Sequence, residues 1–203
     1  MTDVHVLDTG VANVASVAAG LERAGARVVH TREASDVAGC ARLVVPGVGA
    51  FGAGMASLHD AGVVDALRER VSEGRATLAI CLGMQLLFEG SAESPGVAGV
   101  GAIGGTLTGF PDDGRSTHFG WNTVKAPEGA RLLTDGYAYF AHSFRLERAP
   151  DGWRCAVTRL NGAYVSALER EGVLACQFHP ELSGRWGREL LGRWVMQQTE
   201  VTA

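Results

Sequence analysis

Hydrophobic positions in the first half of the chain alternate between two periods. Short apolar runs at Val4–Leu7, Arg27–His30, Leu43–Val45 and Thr77–Ile80 have the length and bounding turns of buried strands. Between them the spacing becomes helical. Val14, Val17, Ala18 and Leu21 recur at i, i+3, i+4 and i+7 in a helix expected from Asn13 to Ala24 and stopped by Gly25. Val63, Val64, Leu67 and Val71 do the same between Gly62 and Glu73, and a further helix is expected from Leu82 to Glu89. Strand–helix alternation of this kind predicts a mostly parallel sheet covered by helices on both faces.

The second half changes character. Glycines are frequent from Gly96 to Gly109 and helical periodicity disappears. Strands are expected near Trp121–Val124, Tyr137–Ala141, Trp153–Val157, Tyr164–Ala167 and Val173–Cys176, some of them antiparallel beside the parallel sheet. A last helix from Gly184 to Gln197 aligns Leu190, Leu191, Trp194, Val195 and Gln198. No linker, repeat or low-complexity tract interrupts the pattern, so residues 1–203 read as a single α/β domain.

Composition narrows the class. A net charge of −4 argues against nucleic-acid binding, which calls for a basic patch. No apolar run approaches the roughly 20 residues needed to cross a bilayer, and Met1–His5 lacks a secretory pattern, so a cytoplasmic protein is expected. Cys40, Cys81, Cys155 and Cys176 are scattered, with no zinc spacing, and no metal or cofactor is expected. Cys40, Cys155 and Cys176 sit in or beside apolar runs and read as small buried hydrophobes.

Cys81 differs. It follows a strand, precedes a helix, and has Ala79 and Gly83 at −2 and +2, the small neighbours that a strained nucleophile elbow requires. The following helix N-terminus favours a thiolate, and the Leu82 N–H points toward an oxyanion. His179 precedes Pro180 and is expected in extended backbone, which places His179 and Glu181 on one side: an imidazole with an orienting carboxylate. The segment Pro46–Gly52 lies between a strand and a helix but matches no phosphate loop. It reads as an anion-stabilising loop with the Gly47–Val48 peptide as donor, or equally as a plain tight turn.

Together these segments resemble the class I (triad) glutamine amidotransferases. The resemblance rests on Ala79–Leu87 and Gln177–Glu181. Residues 8–13, Pro46–Met55, His118–Asn122 and Tyr139–Phe144 make it closest to the glutaminase subunits of imidazole glycerol phosphate synthase. It implies a three-layer fold and hydrolysis of glutamine to glutamate and ammonia by Cys81, His179 and Glu181. The oxyanion would be held by Val48 and Leu82, the former after a peptide rearrangement triggered by the partner's ligand. Gly49, Gln85, Glu93, His142 and Ser143 would bind glutamine. Asn13, Trp121, Asn122 and Tyr139 would face a (β/α)8 cyclase subunit that receives the ammonia in a heterodimer. The chain departs from the family's usual residues at Thr9, Gly104, Thr117 and Leu182. Those departures leave a second reading, a glutaminase that serves a different acceptor. A non-catalytic module of the same fold is the third.

Overall fold

The computed structural model describes residues 1–8, 14–111 and 117–198. The first half runs β1 (Thr2–Leu7), α1 (Val14–Arg23), β2 (Ala26–Thr31), α2 (Ala34–Gly39), β3 (Leu43–Val45), α3 (Phe51–Asp60), α4 (Val64–Ser72), β4 (Thr77–Ile80) and α5 (Leu82–Leu86). The second half holds β5 (Gly90–Ser91), β6 (Thr106–Gly109), β7 (His118–Val124), β8 (Gly136–His142), β9 (Phe144–Arg145), β10 (Arg154–Arg159), β11 (Ala163–Arg170) and β12 (Val173–Cys176). A 3-10 turn at Pro180–Leu182 and α6 (Gly184–Met196) complete it.

Seven strands form the central sheet in the order β10-β11-β12-β4-β3-β1-β2. From β12 to β2 neighbours are parallel, and β11 and β10 add an antiparallel edge through short turns. Strand alternation divides the core between the two faces. Leu43 and Val45 of β3, and Val173 and Ala175 of β12, pack with Leu58 of α3 and Leu67 of α4. Val44, Leu174 and Cys176 face the other way, onto Val17 and Leu21 of α1 and Leu190 and Trp194 of α6. Both helical layers thus bury the faces that their periodicity marks.

Several elements differ from expectation. The helix after Cys81 ends at Leu86 instead of Glu89. Backbone N–H groups of Val100 and Ala102 take the carbonyls of Leu86 and Leu87, and Gly101 takes that of Phe88, at 2.8–3.0 Å. The glycine-rich stretch therefore competes for the carbonyls that would have continued the helix. Strands β5, β6 and β9 are two to four residues long, too short for a legible period. Helix α2 buries only Val37 and carries no amphipathic signal. Helix α6 stops at Met196, and Gln198 is exposed beyond it. Strands β7 and β8 do not join the central sheet but pair as their own hairpin.

One buried cation ties the α2 side of the molecule to the sheet. Arg70 of α4 is 1% exposed. Its guanidinium donates to the carbonyls of Val37, Cys40 and Ala76 at 2.8–3.0 Å and to Thr77 Oγ1 at 3.0 Å. Burial pulls its pKa down to about 10, still far above neutrality, so the charge is kept. Arg70→Met leaves several buried carbonyls without a donor. Urea unfolding should show a loss of about 3 kcal/mol or more, since each unpaired buried group costs ~1–3 kcal/mol.

Candidate active site

Strand β4 is buried along its length and ends at a kink. Cys81 has φ 53° and ψ −110°, a strained conformation for a residue with a Cβ. Its N–H continues the sheet by donating to the Cys176 carbonyl at 2.7 Å, while its own carbonyl accepts from Gln85 N–H at 3.2 Å. The sharp turn works because position 83 is glycine: a Cβ there would overlap the Val45 carbonyl at the end of β3. Alanine at position 79 is accommodated as a fully buried strand residue. Helix α5 is only five residues long, and the other group that meets the Cys81 side chain is the His179 imidazole, through a hydrogen bond.

His179 leaves β12 in extended backbone, φ −99° and ψ 95°, as its following proline predicts. Its N–H donates to the Tyr139 carbonyl at 2.9 Å, and the Ser183 hydroxyl donates to its carbonyl at 2.6 Å. Glu181 meets it, but not through extended chain. Pro180 opens a 3-10 turn, and that turn brings Glu181 Oε1 to 2.8 Å from His179 Nδ1. Gly20 of α1 makes room for the carboxylate: a Cβ there would lie 2.9 Å from Glu181 Cβ. Both side chains are buried, 9% and 3% exposed. Burial by itself would lower the imidazole pKa. The bonds to Cys81 and Glu181 outweigh it and raise His179 to about 10.

Cys81 and His179 open onto one cavity of about 280 Å³. Val48, Leu82, Gly49, Gln85, Glu93, His142 and Ser143, all singled out from the sequence, line it too. Their side-chain polar groups are mostly engaged within the chain. Gln85 Nε2 donates to the Phe144 carbonyl at 3.2 Å and to Gln177 Oε1 at 3.0 Å. Glu93 Oε2 accepts the Phe51 N–H at 2.7 Å and so caps α3. Both ring nitrogens of His142 have partners, Phe144 O at 2.9 Å and Tyr164 Oη at 3.3 Å. Ser143 Oγ lies 2.9 Å from Thr117 Oγ1. Free donors toward a substrate in this cavity are therefore chiefly backbone groups.

The two backbone N–H groups expected to hold an oxyanion, Leu82 and Val48, do not converge. Leu82 N–H donates to the Gly47 carbonyl at 3.3 Å. In a trans peptide the carbonyl and the next N–H point in opposite directions, so the Val48 N–H is turned away from Leu82. A rotation of the Gly47–Val48 peptide would exchange the two.

Trp121 and Tyr139 face each other across the β7–β8 hairpin, ring centroids 6.1 Å apart, with Phe119 5.8 Å from Tyr139. Phe119, Trp121 and Tyr137 are 75%, 53% and 57% exposed, an aromatic face on the outside of the hairpin. Asn122 points to the opposite face and bonds the Arg159 carbonyl at 3.1 Å, so its side chain is not part of that surface. The alternation of a strand requires this of neighbouring residues. Asn13 lies outside the described residues. Gln177, given no role by the sequence, is fully buried with Nε2 3.9 Å from Cys81 Sγ. Its place inside Gln177–Glu181, two residues before His179, is the available signal.

The raised pKa of His179 has a consequence for stability. The folded protein holds the imidazole proton up to about pH 10, whereas the ordinary value is 6.5. The hydrogen bonds that favour the imidazolium, from Cys81 first and Glu181 second, stabilise the fold fully below pH 6.5. That contribution is lost as pH rises toward about 10. Glu181→Gln should therefore be less stable than the parent near pH 6, with the deficit shrinking by about pH 10 in urea unfolding curves.

Comparison with known proteins bears on this geometry. Residues 5–197 match the class-I glutamine amidotransferase family. Imidazole glycerol phosphate synthase subunit HisH of Symbiobacterium thermophilum is 37% identical over 198 residues, covering 96% of this chain and 93% of that one. The HisH subunit of Renibacterium salmoninarum is 41% identical over 214 residues, covering 96% and 94%. The fold is shared with a glutamine amidotransferase crystal structure, at a TM-score of 0.71 and 24% identity over 93% of this chain and 98% of that one. With a match spanning nearly its whole length, the chain belongs to the class-I glutamine amidotransferases, and its relatives within them include HisH subunits of imidazole glycerol phosphate synthase.

Proposed function

We propose that this chain is the glutaminase subunit of imidazole glycerol phosphate synthase, acting in the cytoplasm as a single domain and handing ammonia to a (β/α)8 cyclase subunit. The cyclase would use it to make imidazole glycerol phosphate and aminoimidazole carboxamide ribotide in histidine biosynthesis. The observation that carries the chemistry is Cys81 held at a strained elbow in one cavity with the buried His179–Glu181 pair. The relationship to HisH subunits over most of both chains carries the choice of acceptor.

In this reading the Cys81 thiolate attacks the side-chain amide carbon of glutamine and a C–S bond forms. The carbonyl electrons move to oxygen, which the N–H groups of Leu82 and, after peptide rotation, Val48 receive. Protonated His179 gives its proton to the amide nitrogen, the C–N bond breaks and ammonia leaves. A water then loses a proton to His179 and attacks the thioester. The C–S bond breaks, releasing glutamate and restoring the thiolate beside the imidazolium. Glu181 keeps Nδ1 protonated throughout, so that Nε2 does the proton transfer. Because the Gly47 carbonyl now occupies Leu82 N–H, turnover waits on a peptide rotation, and the partner's ligand is its trigger.

The outer aromatic face of the hairpin supports the docking side of the proposal. Trp121 and Tyr139 offer large apolar area, and the Tyr139 backbone bonds that of His179, so a partner seated there lies one residue from the base. Leu182, 44% exposed, adds apolar surface.

Ammonia release from glutamine should vanish in Cys81→Ala. Adding the purified cyclase subunit with its ligand should raise hydrolysis by the parent protein by orders of magnitude. A glutaminase for another acceptor would not respond, and a non-catalytic module would show no activity in either case. Trp121→Ala should weaken the complex about tenfold or more by calorimetry, the size expected for a central interface aromatic.

A further inference from the structure

Tyr164 takes no part in the hydrolysis described above, yet it touches both histidines of the β7–β8 hairpin. Its hydroxyl lies 2.6 Å from His118 Nδ1 and 3.3 Å from His142 Nε2. His142 Nδ1 lies 2.9 Å from the Phe144 carbonyl, and Asn122 Nδ2 lies 3.3 Å from His118 Nε2. Tyr164 and both histidines are buried, walled by Phe110, with Phe140 stacked 4.3 Å from His118.

The direction of donation along this row is fixed from either end. The Phe144 carbonyl can only accept, so His142 Nδ1 carries a proton. In a neutral ring Nε2 then accepts, and Tyr164 must donate to it. The phenol's single proton then goes to His142 Nε2 and its oxygen accepts from His118 Nδ1–H; Thr158, which also bonds the phenol, meets its remaining lone pair, and His118 Nε2 accepts from Asn122. The other end gives the same answer independently. Asn122 Oδ1 accepts the Thr123 N–H at 2.7 Å while Nδ2 donates to the Arg159 carbonyl at 3.1 Å. The amide therefore presents its NH₂ side to His118.

The row ends at the wall of the glutamine cavity. Residues 141–144 all line it, and the Ala141 carbonyl is 3.9 Å from Cys81 Sγ. We propose that Tyr164 is a positioning residue: through the one-way row Asn122–His118–Tyr164–His142–Phe144 it holds the segment 141–144 in the shape that binds glutamine. The proposal rests on the glutaminase reading for its substrate, and on the row's geometry for everything else.

The surroundings keep both rings neutral. Burial lowers His118 to about 4. Burial, against the Phe144 carbonyl bond that favours the charge, lowers His142 to about 3, with His118, His179 and Arg145 all opposing a second proton there. Burial raises the Tyr164 phenol, while Thr158 and Arg145, which face it, pull the other way. Across the working pH range no group in the row changes charge, so its polarity is permanent.

The test has two arms. With the cyclase subunit and its ligand present, Tyr164→Phe should raise KM for glutamine about tenfold, the effect of one buried hydrogen bond, and leave kcat within about twofold. Unchanged kinetics, or a fall in kcat alone, would overturn the proposal. The second arm is ¹⁵N NMR of histidine rings in the parent chain. Both His118 and His142 should carry the proton on Nδ1 and show flat ring-nitrogen shifts down to about pH 5. An Nε2–H tautomer on either ring sinks the row outright. In Tyr164→Phe the His142 ring should lose its Nε2 hydrogen-bond shift, a signature that general loosening of the core does not mimic. If the variant fails to fold, the parent's tautomers and Asn122→Ala, with the same split in KM and kcat expected, decide the matter. A parent chain with flat Nδ1–H rings but no glutamine hydrolysis beside the cyclase would refute the assigned substrate and not the row.

Discussion

The end of the molecule that holds the Cys81–His179 cavity depends on how closely the elbow at Cys81 approaches the end of β3. Strand β4 must turn into α5 within one residue, and the turned backbone then passes against the Val45 carbonyl. Only a residue without a Cβ fits at position 83. Given that contact, Cys81 is forced to φ 53°, its side chain projects from the C-terminal edge of the sheet, and Gly47 and Val48 lie alongside. Open α/β sheets place their ligand sites at this edge. The fully buried strands on either side hold the strain in place, as a loosely packed support could not.

Around the elbow the polar side chains are largely satisfied by one another. Gln85 is tied to Gln177 and Phe144, Glu93 to the start of α3, and His142 to Phe144 and Tyr164. A buried polar cluster of this kind is rigid when complete and costly when broken. It shapes the cavity onto which Cys81 and His179 open. The charge on His179 follows the same logic. In an apolar enclosure it would be neutral, and only the adjacent sulfur and carboxylate reverse that preference.

Much of the fold was legible because two periodicities alternate cleanly through the first half of the chain. Strands β3, β4 and β12 have the bounds that their apolar runs mark, and the Val63–Val71 face is buried as its spacing requires. The sharp turn at Cys81 was legible because it demands small residues at fixed offsets. The pairing of His179 with Glu181 was anticipated, though through the wrong backbone: the 3-10 turn depends on Pro180 opening a new element, not on continued extension. What was not legible depends on contacts distant in sequence. The carbonyls of residues 86–88 meet donors from residues 100–102, and α5 is shortened. Tyr164 meets two histidines that lie 46 and 22 residues away. No local pattern encodes such meetings.

Strands β4 and β12 lie side by side and in parallel register, with Ile80 level with Cys176. Cys81 and the segment leading to His179 therefore leave the ends of two adjacent rails about 4.8 Å apart, a spacing set by backbone hydrogen bonding. The long stretch of chain between them adds supports of its own, the Tyr139 carbonyl on the His179 N–H at 2.9 Å and the Ala141 carbonyl 3.9 Å from Cys81 Sγ. Away from those contacts it can lengthen, shorten or be rebuilt, changing the cavity wall and the surface offered outward, while the two strand ends keep their spacing. The spacing of the strand ends is a property of the sheet, and the surface offered outward is a property of whatever the chain threads between its two central strands.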